Sequence, residues 1–290
     1  MLEPKSLRGV YAPGAEYWVG DGFSVRNLFP SNPLQRELDP FLLLDYAGPT
    51  HFPPATHPRG VGEHPHRGFE TVTIVYQGEI AHRDSSGTTG VVGAGAVQWM
   101  TAGAGVVDEE MHSAEFTREG GTLQAVQLWV NLPRRAKMAP PAHQLLDAIP
   151  EAALDGGVLR VIAGGYRHNG RVLAGAARTH TPLELYDVRL QAGASLTVPL
   201  AHRHNAAVFV AEGQLEIEER QVPEANLAVF HSSGDAIHLR ASAESKFLVL
   251  SGEPIDEPIV RHGPFVMNSR EELLQAVEDY RSGRMGRLSG

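Results

Sequence analysis

The sequence predicts an all-β protein made of two similar β-rich domains in tandem, closed by a single C-terminal helix. Three observations carry this expectation. Short β-branched and aromatic runs, separated by turn residues, recur from Thr71 to Glu253. A weak repeat relates the two halves: His64-Pro65-His66 precedes a strand and Gly78, and His202-Arg203-His204 precedes a strand and Gly213. The histidine pairs lie 138 residues apart and the glycines 135, the matched spacing of a duplicated domain. Near the C-terminus, Ser269 and Glu272 fit the S-x-x-E capping box, in which each side chain satisfies a free backbone donor of the other residue. Leu273, Leu274, Val277 and Tyr280 follow on one helical face.

The elements follow in order. The first 38 residues are turn-rich, with strand fragments at Tyr17–Val19 and Phe23–Val25 and then an apolar segment at Phe41–Leu44. Residues 50–63 hold three prolines and two glycines and read as a surface loop. TVTIVY (71–76), Ile80–His82, GAGAVQWM (93–100) and LQAVQLWV (123–130) are strands, and no helix of useful length is expected before residue 143. The Pro-, Ala- and charge-rich stretch 133–157 is read as the crossover between domains, holding one short helix. The domains are therefore 1–138 and 139–290, each of ordinary size.

Composition excludes several classes. There are no cysteines, so disulfides, zinc knuckles and thiol catalysis are ruled out. No apolar run approaches the roughly 18 residues of a membrane span, and the start carries no secretory pattern, so a cytoplasmic protein is expected. A net charge of −9 argues against broad attraction to nucleic-acid phosphates. Arg281, Arg284 and Arg287 are read as a solvated helix end, whose cations suit the dipole. Phosphate-loop, dinucleotide and G-x-S-x-G signatures are absent.

The chemistry concentrates in two segments. His64 and His66 stand at i and i+2, so on a strand both imidazoles share a face and can clasp one metal ion. Surface histidines in a loop would give the same pattern. Asp108, Glu110 and His112 also alternate, and burying three such groups is costly unless they meet a metal or one another. A solvent-facing polar stripe is the bland alternative. Glu70 is a further candidate ligand. His202, His204 and His238 fall roughly where His64, His66 and Asp108 do, which raises a second metal site in the C-terminal half, against satisfied or solvent-facing histidines.

HPHRGFETV (64–72), QWMTAGAGV (98–106) and AVQLWVNL (125–132) resemble signature segments of the pirin family, as do DPFLLLD (39–45) and HGPFVMNS (262–269). The resemblance runs along nearly the whole chain in the family's order. It implies a bicupin: two tandem antiparallel β-sandwich barrels, a short crossover and a C-terminal helix, with a metal in the N-terminal cupin. The family pattern, H-x-H with a later H-x-E, maps onto His64, His66 and Glu110, while its second-segment histidine is Asp108 here. Two histidines and two carboxylates favour Fe(II), with Mn(II) as an alternative, over softer Cu(I). The resemblance further implies a dioxygenase acting on a flavonol such as quercetin, with Glu110 as ligand and proton acceptor. The rival reading is a redox-sensing regulator that binds a transcription factor or metabolic enzyme. A metal-free binding scaffold is a third.

Overall fold

In the computed structural model, which describes residues 2–29 and 34–288, the chain forms two compact units, each built mainly from a seven-stranded and a four-stranded antiparallel sheet. The all-β, two-barrel expectation and the C-terminal helix are both found. The units are not contiguous halves. One gathers Ala15–Asn27, Leu43–Asp147 and Asp256–Gly290; the other gathers Met1–Gly14, Leu28–Leu42 and Ala148–Ile255. The packing thus follows a different division from the linear one at 138/139. Strand Leu7–Tyr11 pairs with Leu227–Phe230, and the C-terminal segment packs Phe265, Met267, Leu273, Ala276 and Met285 against Val107.

In the first unit, which carries the candidate site, the large sheet runs Ala142–Leu146, Val97–Thr101, Phe69–Gln77, Gly121–Asn131, Phe41–Phe52, Phe23–Asn27 and Glu16–Val19. Its small sheet runs Gly60–His66, Val106–His112, Glu79–Asp84 and Thr89–Gly93. The expected loop at 50–63 is therefore strand at both ends. The crossover holds a 3₁₀ turn, Arg134–Ala136, and two strands, Ala142–Leu146 and Glu151–Leu154, where one short helix was expected. Those strands find open edges of the two large sheets, and backbone pairing there outweighs a weak local preference for helix.

The second unit fills the space between its sheets. Leu196, Val198, Leu215, Ile237 and Leu239 from the small sheet meet Val161, Val188, Val208, Phe247 and Val249 from the large one. Truncating a fully buried residue such as Phe247 costs about 3–5 kcal/mol through lost contacts and the cavity left behind. The glycines of the repeat have a shared physical basis. Gly78 (φ 80°) links Phe69–Gln77 to Glu79–Asp84, and Gly213 (φ 83°) links Asn205–Glu212 to Gln214–Ile217. Each adopts a left-handed conformation that L side chains resist.

The terminal helix, Arg270–Arg281, begins with the capping box: Ser269 Oγ accepts from Glu272 N at 3.2 Å, and Glu272 Oε2 accepts from Ser269 N at 3.0 Å. Its buried face is Leu273, Ala276 and Asp279; Leu274, expected inward, is exposed. Two short helices, Gln35–Leu38 and Ala114–Glu119, escape the periodicity because neither spans two turns.

Candidate metal centre

Strand periodicity delivers the site. On Gly60–His66, His64 and His66 project the same way, and antiparallel pairing sets Asp108 directly opposite His64. His64 Nε2 and His66 Nε2 each lie 3.6 Å from the same atom, Asp108 Oδ1. One ligand atom from each of the three residues falls within 4.8 Å of the others. Two metal bonds of about 2.1 Å, opened to about 120°, span such a gap.

The hydrogen bonding prepares these atoms for a cation. His64 Nδ1 donates to the Gly62 carbonyl at 2.9 Å, so Nε2 carries the lone pair that faces Asp108. Asp108 Oδ1 is buried without a hydrogen-bond partner. Burial, and then the charge of His64, push His66 well below the usual histidine range, which keeps it neutral. Burial pushes the Asp108 carboxyl well up, reinforced by Glu110 and Asp84. Asp108, Glu110 and Asp84 crowd together beside the neutral His66, and a divalent cation would relieve that crowding. The residues present therefore fit a metal ion.

Glu110 lines the same cavity as His64 and His66 and interacts electrostatically with His64 and Asp108, though it is not one of the three residues whose ligand atoms cluster within 4.8 Å. A register shift between Asp108 and Glu110 sets Glu110 opposite Val61, and its carboxylate takes hydrogen bonds from Gln127 Nε2 at 3.2 and 3.3 Å. Thr73 Oγ1 lies 2.7 Å from Gln127 Oε1 and 3.3 Å from Glu110 Oε1. Burial raises the Glu110 pKa, while His64, Thr73 and Gln127 oppose the rise. His112 takes no part. Its Nε2 bonds the Gly22 carbonyl at 2.9 Å, and its ring sits among Phe23, Phe52 and Phe116. Glu70 is buried against Thr101, whose hydroxyl donates to it at 2.7 Å, and burial lifts its pKa to about 7.

A cavity of about 350 Å³ opens beside the triad, between the two sheets of this unit. His64, His66, Glu110, Gln127 and Thr73 give it a polar end, and Val19, Phe23, Val25, Ala47, Val61, Ile80, Ala125 and Trp129 give it apolar walls. Such a shape suits a small, flat, largely apolar molecule with a few polar groups.

A family model described as Pirin matches residues 22–130, and one described as Pirin C-terminal cupin domain matches residues 185–286. The chain belongs to the pirin family. A Pseudomonas aeruginosa protein named "Putative quercetin 2,3-dioxygenase PA2418" is 54% identical over 285 residues, covering 97% of this chain and 98% of the relative. A pirin-like protein of Caulobacter vibrioides is 38% identical over 271 residues, covering 92% and 95%. The crystal structure of quercetin 2,3-dioxygenase from Acinetobacter baumannii superimposes with a TM-score of 0.94 at 46% identity, covering 99% of this chain and all of that one.

The second pirin barrel does not bring its histidines together. His202 and His204 precede the strand Asn205–Glu212 instead of lying on the small sheet. His204 Nδ1 lies 3.2 Å from Glu184 Oε2. His238 is exposed and pairs with Thr197 Oγ1 at 2.8 Å. The inward positions on those two strands are Leu196, Val198, Ile237 and Leu239, so apolar core stands where the first barrel places ligands. Sequence reasoning gave little weight to one feature of the first barrel. His82 and His143 stack at 4.4 Å and 21°, and burial and the charge of His143 lower His82 to about 4. The alternation of Ile80, His82 and Asp84 was the available signal.

Proposed function

We propose that this pirin is a metal-dependent dioxygenase acting on a flavonol such as quercetin, with one divalent ion, Fe(II) in preference to Mn(II), held by His64, His66 and Asp108. The observation that carries this reading is the convergence of two imidazole nitrogens on one unpartnered, buried carboxylate oxygen at the wall of an apolar cavity. Two histidines and one carboxylate with open positions are the donor set of non-haem Fe(II) oxygenases. The quercetin 2,3-dioxygenase name borne by the Acinetobacter structure and the Pseudomonas relative supports the substrate class.

When bound, the metal would acidify a substrate hydroxyl and present it to dioxygen. The chain's own residues do the rest. The apolar walls exclude water and hold the aromatic plane. Glu110 faces the same cavity and accepts the hydroxyl proton. Gln127, fixed by Thr73, steers that carboxylate. Anaerobic iron loading followed by elemental analysis, then the flavonol absorption band followed under air, tests the reading. About one iron per chain and loss of the band are expected. A metal-replete protein that leaves the band unchanged overturns it for that substrate.

One residue favours the second reading, a redox-responsive regulator that binds a transcription factor or metabolic enzyme. Asp108 stands where the family pattern has histidine, which would keep the metal while changing its redox preference. A partner recovered in only one metal oxidation state, from a protein inert toward flavonols, would select it.

A further inference from the structure

Arg261 lies on the ribbon formed by Val260–His262 and Phe265–Met267. Its guanidinium carbon sits 5.0 Å from the ring centroid of Trp129, a wall of the cavity. Trp129 in turn stacks on Phe69 at 4.2 Å and 30°, and meets His66 edge-on at 5.5 Å. A chain of touching rings thus joins the triad to this cation.

The cation is uncommitted. Among the described residues, no acceptor takes a hydrogen bond from the guanidinium, and no carboxylate lies within ion-pair distance of it. The negative charge that it feels most is that of Asp45, with Tyr17 beside it. Both of those groups are occupied: Tyr17 Oη donates to Asp45 Oδ2 at 3.1 Å, and Asn27 Nδ2 donates to Asp45 Oδ1 at 2.5 Å. Asp45 lines the cavity with Trp129 and Pro264, and the exposed Tyr17 and Arg261 pack against the first two of these, Tyr17 on Asp45 and Arg261 on Trp129. Among the described residues no lysine or arginine lines the cavity itself, whose polar groups are imidazoles, carboxylates, a hydroxyl and an amide; Arg261, behind Trp129, is the cation next to it.

We propose that Arg261 is an anion-binding subsite at the solvent edge of the cavity, and that the preferred ligand is a planar aromatic hydroxy-ketone with a carboxylate or sulfonate distal to the end that meets the triad. Five donors in a rigid plane match a carboxylate through two parallel hydrogen bonds. Stacking on Trp129 holds that plane ready and lowers the ordering cost of binding. A lysine would supply charge without the fork. The inference rests on the reading of the cavity as an aromatic-ligand site.

The test compares 3-hydroxyflavone with its 4′-carboxylate under anaerobic conditions, using the intact metal-loaded protein and tryptophan quenching as the readout. The expected result is at least tenfold tighter binding of the carboxylate, with the advantage shrinking at high salt. In Arg261→Ala and Arg261→Gln the ratio falls to near one while 3-hydroxyflavone still binds; Arg261→Lys keeps part of the preference. Because the readout is a ratio within one protein, a general loss of fold cannot imitate it. Equal binding of both probes by the wild type, or an unchanged ratio in Arg261→Ala, overturns the subsite and leaves the aromatic-site reading intact. Failure of both probes to bind overturns that reading and the subsite with it.

Discussion

Arg67, the residue directly after strand Gly60–His66, donates from Nη1 to Asp279 Oδ2 at 2.7 Å, a buried ion pair that ties the end of that strand to the terminal helix. Arg67 Nε also donates to the Ala104 carbonyl at 2.6 Å. Asp279 further accepts from Gln275 at 2.7 Å and Arg284 at 2.6 Å. Removing one partner leaves a buried charge uncompensated, so Asp279→Ala should destabilise the fold by about 3–5 kcal/mol in urea denaturation.

The same carboxylate gives a pH signature. Hydrogen bonds from Arg67, Gln275 and Arg284 outweigh desolvation and hold the Asp279 pKa at about 2. Its folded value lies below the unfolded one, so its contribution is complete above about pH 4. That contribution is lost as pH falls toward 2. Asp279→Asn should be less stable at pH 7 and should show a shallower loss of stability between pH 4 and 2.

Glu70 runs the opposite way. Burial lifts it to about 7, above its unfolded value, so the folded state holds this proton more tightly. Stability from this group is complete below about pH 4.5 and is lost as pH rises through 7, by roughly 3 kcal/mol in all. Glu70→Gln retains an acceptor for Thr101 and removes the ionisation. Thermal melts at pH 5 and pH 8 should therefore converge in the variant.

Metal content separates the roles of the two site carboxylates. Asp108→Ala should lose at least tenfold in iron affinity, measured by competition with a chelator, while Asp108→His should keep the metal. Glu110→Gln should hold iron within about threefold of wild type and lose flavonol turnover by roughly 10²–10⁴. Loss of iron in Glu110→Gln would make it a ligand.

Much of this was legible in the sequence because strands repeat every two residues. The shared face of His64 and His66, and the inward face of Asp108 and Glu110, follow from that period alone. Register was not legible. The irregularity after Asp108 sets Glu110 opposite Val61 instead of Gly62, and the aromatic ring cluster takes His112 at the strand end. The H-x-H repeat misled in the second barrel because sequence spacing does not show whether a pair sits on a strand or in the turn before it. The capping box of the terminal helix is local chemistry and was readable directly. That this helix closes on the first barrel depends on contacts distant in sequence, such as those of Arg67 and Val107.

That last contact has a consequence for synthesis. A ribosome makes the strands bearing His64, His66 and Asp108 long before Asp256–Gly290, the segment that packs behind them. Until it emerges, Val107 has no apolar cover from Phe265, Met267 or Leu273, and Arg67 has no Asp279. Order of manufacture and order of assembly run against each other, so the ligands wait, incompletely braced, through translation of the intervening barrel. The brace of these strands is therefore the last part of the chain to be made.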